Sequence, residues 1–510
     1  MIQGIDYVAI APPLLVAVAG ILVLLADAFG LPRRTMGLVG GVGVAAGLVA
    51  VIAVAVGRPR ATFCLPSGLR AGGPPSCSYV ADDFTLLLQG LVLAAALIVI
   101  LLSLGEIAVS RLPAGEYYFL LLAAITGALT LVAARDLIML VVALETLSLP
   151  VFALVALRRY DGIATEAALK LFLVSVVSAA VMLFGISLVY GVTGAMHLDR
   201  IAVALPRTPA DLEPVAAVGV VLVLVGFGFK VAAVPFHFWA PDVYQGAPLP
   251  VTIFLSVISK AGGFAGLTIV LVVGFPAYAG TWGVLIGVMA AVTMTLGNLL
   301  ALRQRHAVRL LAWSSIAQSG YILAPLSVGA TGVARLPEAV AATVAYVALY
   351  AVMNIGAFAV VTAVARRGTV LIDGYRGLAR VDPLMSMALG FFLVCLAGLP
   401  PGIMGLFAKI AVFRATVAGG MTWLAVIMAV NTVIGLYYYL AWAARLFAAP
   451  DPAAAGAVAT AGATGAAAPA VNTERAVGLA VAVAAVGAIV LSVVPQLVLQ
   501  LRLPVSIIPG

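Results

Sequence analysis

Residues 226–250 read GFGFKVAAVPFHFWAPDVYQGAPLP, and this stretch decides the fold. It closes an apolar run, VVLVLVGFGFKVAAVPF (220–236), that is built to enter a bilayer but carries Lys230 inside it. Gly226 and Gly228 precede the lysine, and Pro235, Pro241, Pro248 and Pro250 follow. Proline removes a backbone donor and clashes with the preceding helical turn. A broken helix at membrane depth is tolerated only where it is buried in protein or lines a hydrated cavity. The pattern therefore predicts a transmembrane helix interrupted where an ammonium needs solvation. The same device returns in CLAGLPPGIMGLFAKIAVF (395–413), where Pro400, Pro401, Gly402 and Gly405 come just before Lys409.

Working outward, three more ionisable residues lie inside apolar runs. They are Glu145 in LIMLVVALETLSLPVFALVAL (137–157), Lys170 in EAALKLFLVSVVSAAVMLFG (166–185) and Lys260 in VTIFLSVISKAGGFAGL (251–267). An ionised side chain at mid-bilayer costs about 2.5–3.5 kcal/mol on insertion scales, so such residues mark ion or proton paths by default. The 510-residue chain is 64% hydrophobic and 9% charged. A soluble domain carries about 25% charge, so this chain lacks the polar residues to cover a globule. Its runs are unbroken rather than alternating, which excludes an outer-membrane barrel. They give about fourteen spans of some 20 residues each, from 7–29 to 475–500. The expected fold is an all-α polytopic membrane protein.

The two broken spans are the seventh and the twelfth, five apart. That spacing predicts two inverted five-helix repeats, a transporter signature: helices 4–8 over residues 117–273 and helices 9–13 over 282–446. Residues 1–116 hold the first three helices, 447–474 form an Ala/Gly/Pro linker, and 475–510 carry the last helix. No basic n-region precedes the first run, so no cleavable signal peptide is expected. Loop arginines and lysines favour the cytoplasmic side. Their distribution, fourteen against nine, puts both termini outside. Cys64 and Cys77 then fall in an outer polar loop, where they are either bridged or free thiols.

The net charge of +8 is scattered in short clusters between apolar runs, with no basic stripe to bind nucleic acid. Histidines 197, 237 and 306 are too dispersed for a metal or haem site. No GxGxxG, P-loop or CxxC is present, so no cofactor is expected in this chain. The chemistry is assigned to the buried charges. Burial favours the uncharged form of an amine, which lets a lysine take and release a proton. Lys170, on the next helix, is the expected ion-pair partner of Glu145. Lys230, Lys260 and Lys409 form the expected relay, and His237, two residues past Pro235, is a candidate gate. Asp82, Asp83 and Asp136 read as helix N-caps. The bland alternatives are a static Glu145–Lys170 pair, snorkelling of Lys170, and a scaffold whose charges only hold helices together.

These residues resemble a known family, the antiporter-like proton-pumping subunits of respiratory complex I, and within it the subunit N group. The resemblance rests on ARDLIMLVVALETLSLPVFAL (134–154), EAALKLFLVSVVSAAVMLFGISLVYG (166–191), GFGFKVAAVPFHFWAPDVYQGAPLPVTIFLSVISKAGGF (226–264), LAWSSIAQSGYIL (311–323) and LAGLPPGIMGLFAKIAVF (396–413). It implies that Glu145, Lys170, Lys230, Lys260 and Lys409 carry protons across a bacterial cytoplasmic membrane. Quinone reduction elsewhere in the complex would drive them. NADH, FMN, iron–sulfur clusters and quinone would sit in partner subunits. Other membrane-arm subunits and the bilayer would be the partners, with no nucleic acid. The rival reading is a subunit of a multi-subunit cation/proton antiporter or of a membrane-bound hydrogenase.

Overall fold

The computed structural model describes residues 4–66, 68, 75–110, 112–158, 160–449 and 471–499. Helices α1 (Ala11–Ala28) and α2 (Arg33–Ala55) lead into an antiparallel hairpin of β1 (Arg60–Cys64) and β2 (Cys77–Ala81), with Cys64 opposite Cys77. There follow α3 (Asp83–Ser110), α4 (Ala114–Leu131), α5 (Leu137–Ala156), α6 (Gly162–Thr193) and the short α7 (Leu198–Ala204). Next come α8 (Glu213–Lys230) and, after a break, α9 (Trp239–Gly246). Segment Leu249–Gly274 runs as α10 (Leu249–Phe254) and α11 (Lys260–Ile269), with π-helical turns at Leu255–Ser259 and Val270–Gly274. The chain continues through α12 (Ala279–Ala301), α13 (Ala307–Leu323), α14 (Leu336–Ala365), α15 (Leu378–Val381), α16 (Pro383–Ala397), α17 (Ile403–Ala418) and α18 (Thr422–Phe447) to a last long helix, Val471–Val493, and a closing helical turn, Gln496–Leu499.

Among the described residues, twelve helices are long and apolar enough to cross a membrane. The other two of the expected fourteen passes are assembled from shorter pieces. One is α13, of 17 residues, continued by a 3-10 turn, Ala324–Thr331. The other is α16 with α17, of 15 and 16 residues, on either side of the Pro400–Pro401 break. The breaks after α8 and after α16 fall at the predicted glycine and proline clusters, whereas the change to a 3-10 turn after α13 was not expected. Leu249–Gly274 is wholly enclosed by protein, and α6 is only one-third covered. The enclosed segment is thus the axis of the bundle.

Loop contacts fix two opposite faces. On one, Asp6 pairs with Arg60 at 2.9 Å, Tyr79 bridges to Ala134, and Asp136 bridges to His197. On the other, His306 bridges to Leu371, and Arg376 donates to the Ala449 carbonyl at 3.3 Å. The Cys64–Cys77 segment, expected as a polar loop with its cysteines bridged or free, is flanked by two paired strands and closed by a disulfide. Most of the 447–474 linker lies outside the described residues, and the last helix begins at Val471 rather than 475. Asp82 and Asp136 cap their helices as expected, accepting from Thr85 and Met139 backbone N–H groups at 2.9 and 2.8 Å. Asp83 does not cap: it is the first residue inside α3.

Candidate functional site

Asp136 starts α5, and that start sets the depth of Glu145 and Ser148. The two lie three residues apart, on neighbouring positions of one helix face. Lys230 ends α8 and is 6% exposed. Its ammonium donates to Ser148 Oγ at 2.8 Å, and Ser148 Oγ donates to the Leu144 carbonyl at 2.6 Å. Glu145 is half-buried, its Oε1 has no hydrogen-bond partner, and the charge it interacts with is that of Lys230. Beside Lys230 a small cavity lined by Ser148, Ser175, Trp239 and Ser259 has room for about one water. Its wall at Ser259 adjoins Lys260.

The expected Glu145–Lys170 ion pair is not formed. Lys170 binds Glu166 at 2.6 Å and Asp242 at 2.8 Å instead. The cause is the break after α8. It lets α9 run on as a separate arm beside α6, and Asp242 on that arm comes within reach of the Lys170 stem. Arg309 of α13 takes the other oxygen of Asp242 at 2.7 Å. His306 precedes α13. Burial and then the nearby Arg309 charge hold its imidazole below its usual range.

Lys260 follows directly on the π-helical turn and is 2% exposed. Such turns recur at functional sites because they re-aim side chains. Its ammonium donates to the Ser315 carbonyl and Ser315 Oγ, both at 2.6 Å, and to Ser319 Oγ at 2.8 Å. Ser315 Oγ also meets the Tyr350 hydroxyl at 2.7 Å. No carboxylate among the described residues pairs with Lys260. Lys409, 6% exposed, reaches back across the second break to the Ala397 carbonyl at 2.6 Å. Its ammonium lies 5.7 Å from the centre of the Tyr321 ring.

Between the last two lysines stands a polar core on α13, α14 and α18. Tyr321 stacks on Tyr346 with rings 2° from parallel. Tyr346 donates to Gln318 Oε1 at 2.5 Å, and Gln318 Nε2 donates to the Tyr439 hydroxyl at 3.2 Å. Tyr439 also bonds Ser314. Asn354, fully buried on α14 one turn beyond Tyr350, has no partner for either amide atom. His237 stands at the break, its ring 5.5 Å from that of Trp313, with His237 Nδ1 and Trp313 Nε1 both unpartnered.

The structure thus brings Glu145 to Lys230, places Lys260 between the two breaks, and sets Lys170 apart. Sequence reasoning missed Asp242 and Arg309. Asp242 stands in PDVYQGAP with nothing in the sequence to mark it as a partner of Lys170, and Arg309 lies at the start of an apolar run among scattered loop arginines.

Residues 134–435 match the family described as NADH:quinone oxidoreductase/Mrp antiporter, TM. NADH-quinone oxidoreductase subunit N 2 of Streptomyces griseus subsp. griseus is 53% identical over 98% of this chain and 94% of its own length. A chain of respiratory complex I from Thermus thermophilus with bound aureothin superposes with a TM-score of 0.74 at 31% identity, covering 96% of this chain and 99% of that one. A chain of the Mrp complex from Dietzia sp. DQ12-45-1b superposes with a TM-score of 0.80 at 22% identity, covering 98% and 97%. That last likeness speaks to the fold alone.

Proposed function

This chain belongs to the transmembrane NADH:quinone oxidoreductase/Mrp antiporter family, and from that premise we propose that it moves protons as a membrane-arm subunit of an NADH:quinone oxidoreductase. One observation carries the reading. Three ammonium groups, Lys230, Lys260 and Lys409, are each at most 6% exposed inside an apolar bundle and are held by hydroxyl and carbonyl oxygens. Oxygen acceptors solvate the charged amine without fixing it. A carboxylate in direct contact would favour the charged form and hold the proton more tightly.

Proton transfer in this reading begins at Glu145 and Lys230, passes by the Ser148–Ser259 cavity to Lys260, and reaches Lys409 through the α13 and α14 polar core. Water completes the gaps, and His237 gates the first break. Moving one charge against 100 mV requires about 2.3 kcal/mol. A swing of one to two pKa units supplies about 1.4–2.7 kcal/mol, so modest electrostatic changes suffice. Redox power comes from partner subunits, which hold NADH, FMN, iron–sulfur clusters and quinone. The chain is organised as two inverted five-helix units, and it sits in a bacterial cytoplasmic membrane. The hairpin face is the outer one, since a disulfide persists in an oxidising compartment; both termini then lie outside.

The antiporter alternative shares the fold, but the 53% identity to a subunit N relative favours the oxidoreductase. Lys260→Ala tests the relay. In inverted vesicles holding the whole complex, NADH-driven proton uptake should fall at least tenfold. Wild-type uptake per NADH would rule the relay out.

A further inference from the structure

Asp242 takes part in none of the steps above, yet its carboxylate pairs with two cations at once. Its Oδ2 accepts from Lys170 at 2.8 Å and its Oδ1 from Arg309 at 2.7 Å. Arg309 also donates to Gln245 Oε1 at 3.0 Å, and Lys170 also pairs with Glu166 at 2.6 Å. The two oxygens thus hold cations from two helices far apart in sequence. The carboxylate rides on α9, the arm that follows the break after Lys230. Arg309 sits on α13, six residues before Ser315, about 9 Å along the helix. Asp242 is therefore the common point of three elements: the helix of Lys170, the arm beyond Lys230, and the helix that supplies the acceptors of Lys260.

Stability does not explain this arrangement. Lys170, Asp242 and Arg309 side chains are 44%, 32% and 30% exposed, and pairs that open contribute little to stability. What the arrangement fixes is position. With both oxygens taken, Lys170 is drawn toward α9 and away from α5, where Glu145 stands without an ion pair. Glu145 is then left to interact with Lys230 alone.

We propose that Asp242 is a positioning residue of the proton relay: it withholds Lys170 from Glu145, and through Arg309 it ties that placement to the α13 helix that holds Lys260. The proposal rests on the relay reading. Neutralising Asp242 removes its pairing with both cations; Arg309 keeps Gln245, and Lys170, held then by Glu166 of its own helix alone, can compete with Lys230 for Glu145. The charged groups that bear on the site are Glu166 and Lys170 of α6, Arg309 of α13, and His306 beside Arg309.

The test uses the whole complex in vesicles, with NADH oxidation and proton uptake followed across pH. Asp242→Asn should lower coupled turnover about fivefold or more, the size of a typical coupling between sites, and should displace the pH profile. Asp242→Glu should restore most of both. Arg309→Gln keeps the Asp242–Lys170 pair but cuts the tie to α13; it should shift the profile less, and add nothing in the Asp242→Asn background. A wild-type rate and profile for Asp242→Asn would overturn the proposal. So would a lowered rate with an unmoved profile that Asp242→Glu does not rescue. Should Asp242→Asn fail to assemble, Arg309→Gln decides, and an unmoved profile overturns the proposal. The relay is judged separately by Lys260→Ala: lost uptake there with normal Asp242→Asn sinks only the positioning role, whereas normal uptake in Lys260→Ala sinks the relay itself.

Discussion

The two breaks solve one problem by opposite chain routes. Each begins where a helix ends in a left-handed residue, Ala232 (φ 55°) after α8 and Gly398 (φ 83°) after α16. Each is closed by a six-residue backbone bond, Ala233 N–H to the Gly228 carbonyl at 2.8 Å and Leu399 N–H to the Val394 carbonyl at 3.2 Å. That is the helix-ending pattern that satisfies carbonyls left over at a C-terminus. The C-terminal end of a helix carries partial negative charge, which favours a cation. Lys230 exploits it from the last residue of the first half-helix. Lys409 starts from the second half-helix and reaches back to Ala397. The lesson is that the broken ends, rather than the lysines' places in sequence, create the ammonium sites. The difference lies in what surrounds them: a serine and a carboxylate for Lys230, an aromatic face for Lys409.

The sharpest break of this comparison removes the amines. Lys230→Ala and Lys409→Ala should each reduce proton uptake at least tenfold in assembled complex, measured by quenching of a pH dye in inverted vesicles. If one variant pumps normally, the two ends are not parts of one path. A finer cut removes the solvating group and leaves the amine. Ser148→Ala deletes a hydrogen bond to a charged group, about 1.5–3 kcal/mol, so turnover should fall about 10- to 150-fold. Tyr321→Leu removes a ring that contributes about 0.5–2 kcal/mol to a nearby cation. The Ala397 carbonyl bond survives, and the expected loss is about 2- to 30-fold. A larger effect for Tyr321→Leu than for Ser148→Ala would reverse the ranking.

Much of this was legible from composition and breakers. Apolar runs gave the passes, and glycine and proline clusters placed both breaks within a few residues, because lipid leaves the backbone few options. The ammonium partners were not legible. Ser148, Ser315, Ser319 and Ala397 look like any other small residue in an apolar helix, and only packing brings them to an amine. The Lys170 partner was misread because adjacency in sequence suggested α5, while the arm beyond the break carries Asp242 to α6. The hairpin was hidden because RATFC and CSYVA are short strands flanking a polar loop.

A third contrast concerns what anchors the helix that serves each site. The start of α5 is pinned by the Arg135–Asp82 pair, 2.8 Å long with both side chains 10% exposed. The start of α16 is pinned by Arg367–Asp382, also 2.8 Å, but 39% and 21% exposed. Burial would raise the Asp82 carboxyl, but the Arg135 guanidinium and the Thr85 N–H and hydroxyl outweigh it and hold it below the ordinary range. A carboxylate depressed in the native state stabilises it at pH values above its unfolded value of about 3.9, and that stability is lost as pH falls through the native value. Acid should therefore loosen the Lys230 side first, seen as faster hydrogen exchange at Val80, Arg135 and Leu137. Asp82→Asn should cost about 3 kcal/mol at neutral pH and remove that acid step. Arg367→Gln should cost at most about 1 kcal/mol. Equal losses would mean that burial does not separate the two anchors.

The effects expected at the two left-handed residues are modest and opposite in sign. A side chain in that conformation costs about 1–2 kcal/mol that glycine avoids. Ala232→Gly should therefore leave thermal stability unchanged or raise it by up to about 1 kcal/mol. Gly398→Ala should lower it by about 1–2 kcal/mol. A Cβ at 398 would also stand 3.1 Å from Lys409 Cδ and 3.3 Å from its Nζ, tight enough to displace the lysine stem. Gly398→Ala should thus slow proton uptake beyond its effect on stability, whereas Ala232→Gly should not. The comparison is read from uptake per assembled complex against the midpoint of thermal inactivation. Should Gly398→Ala lower the midpoint but keep full uptake, the Lys409 stem has room to move, and its grip on Ala397 does not depend on the shape of the break.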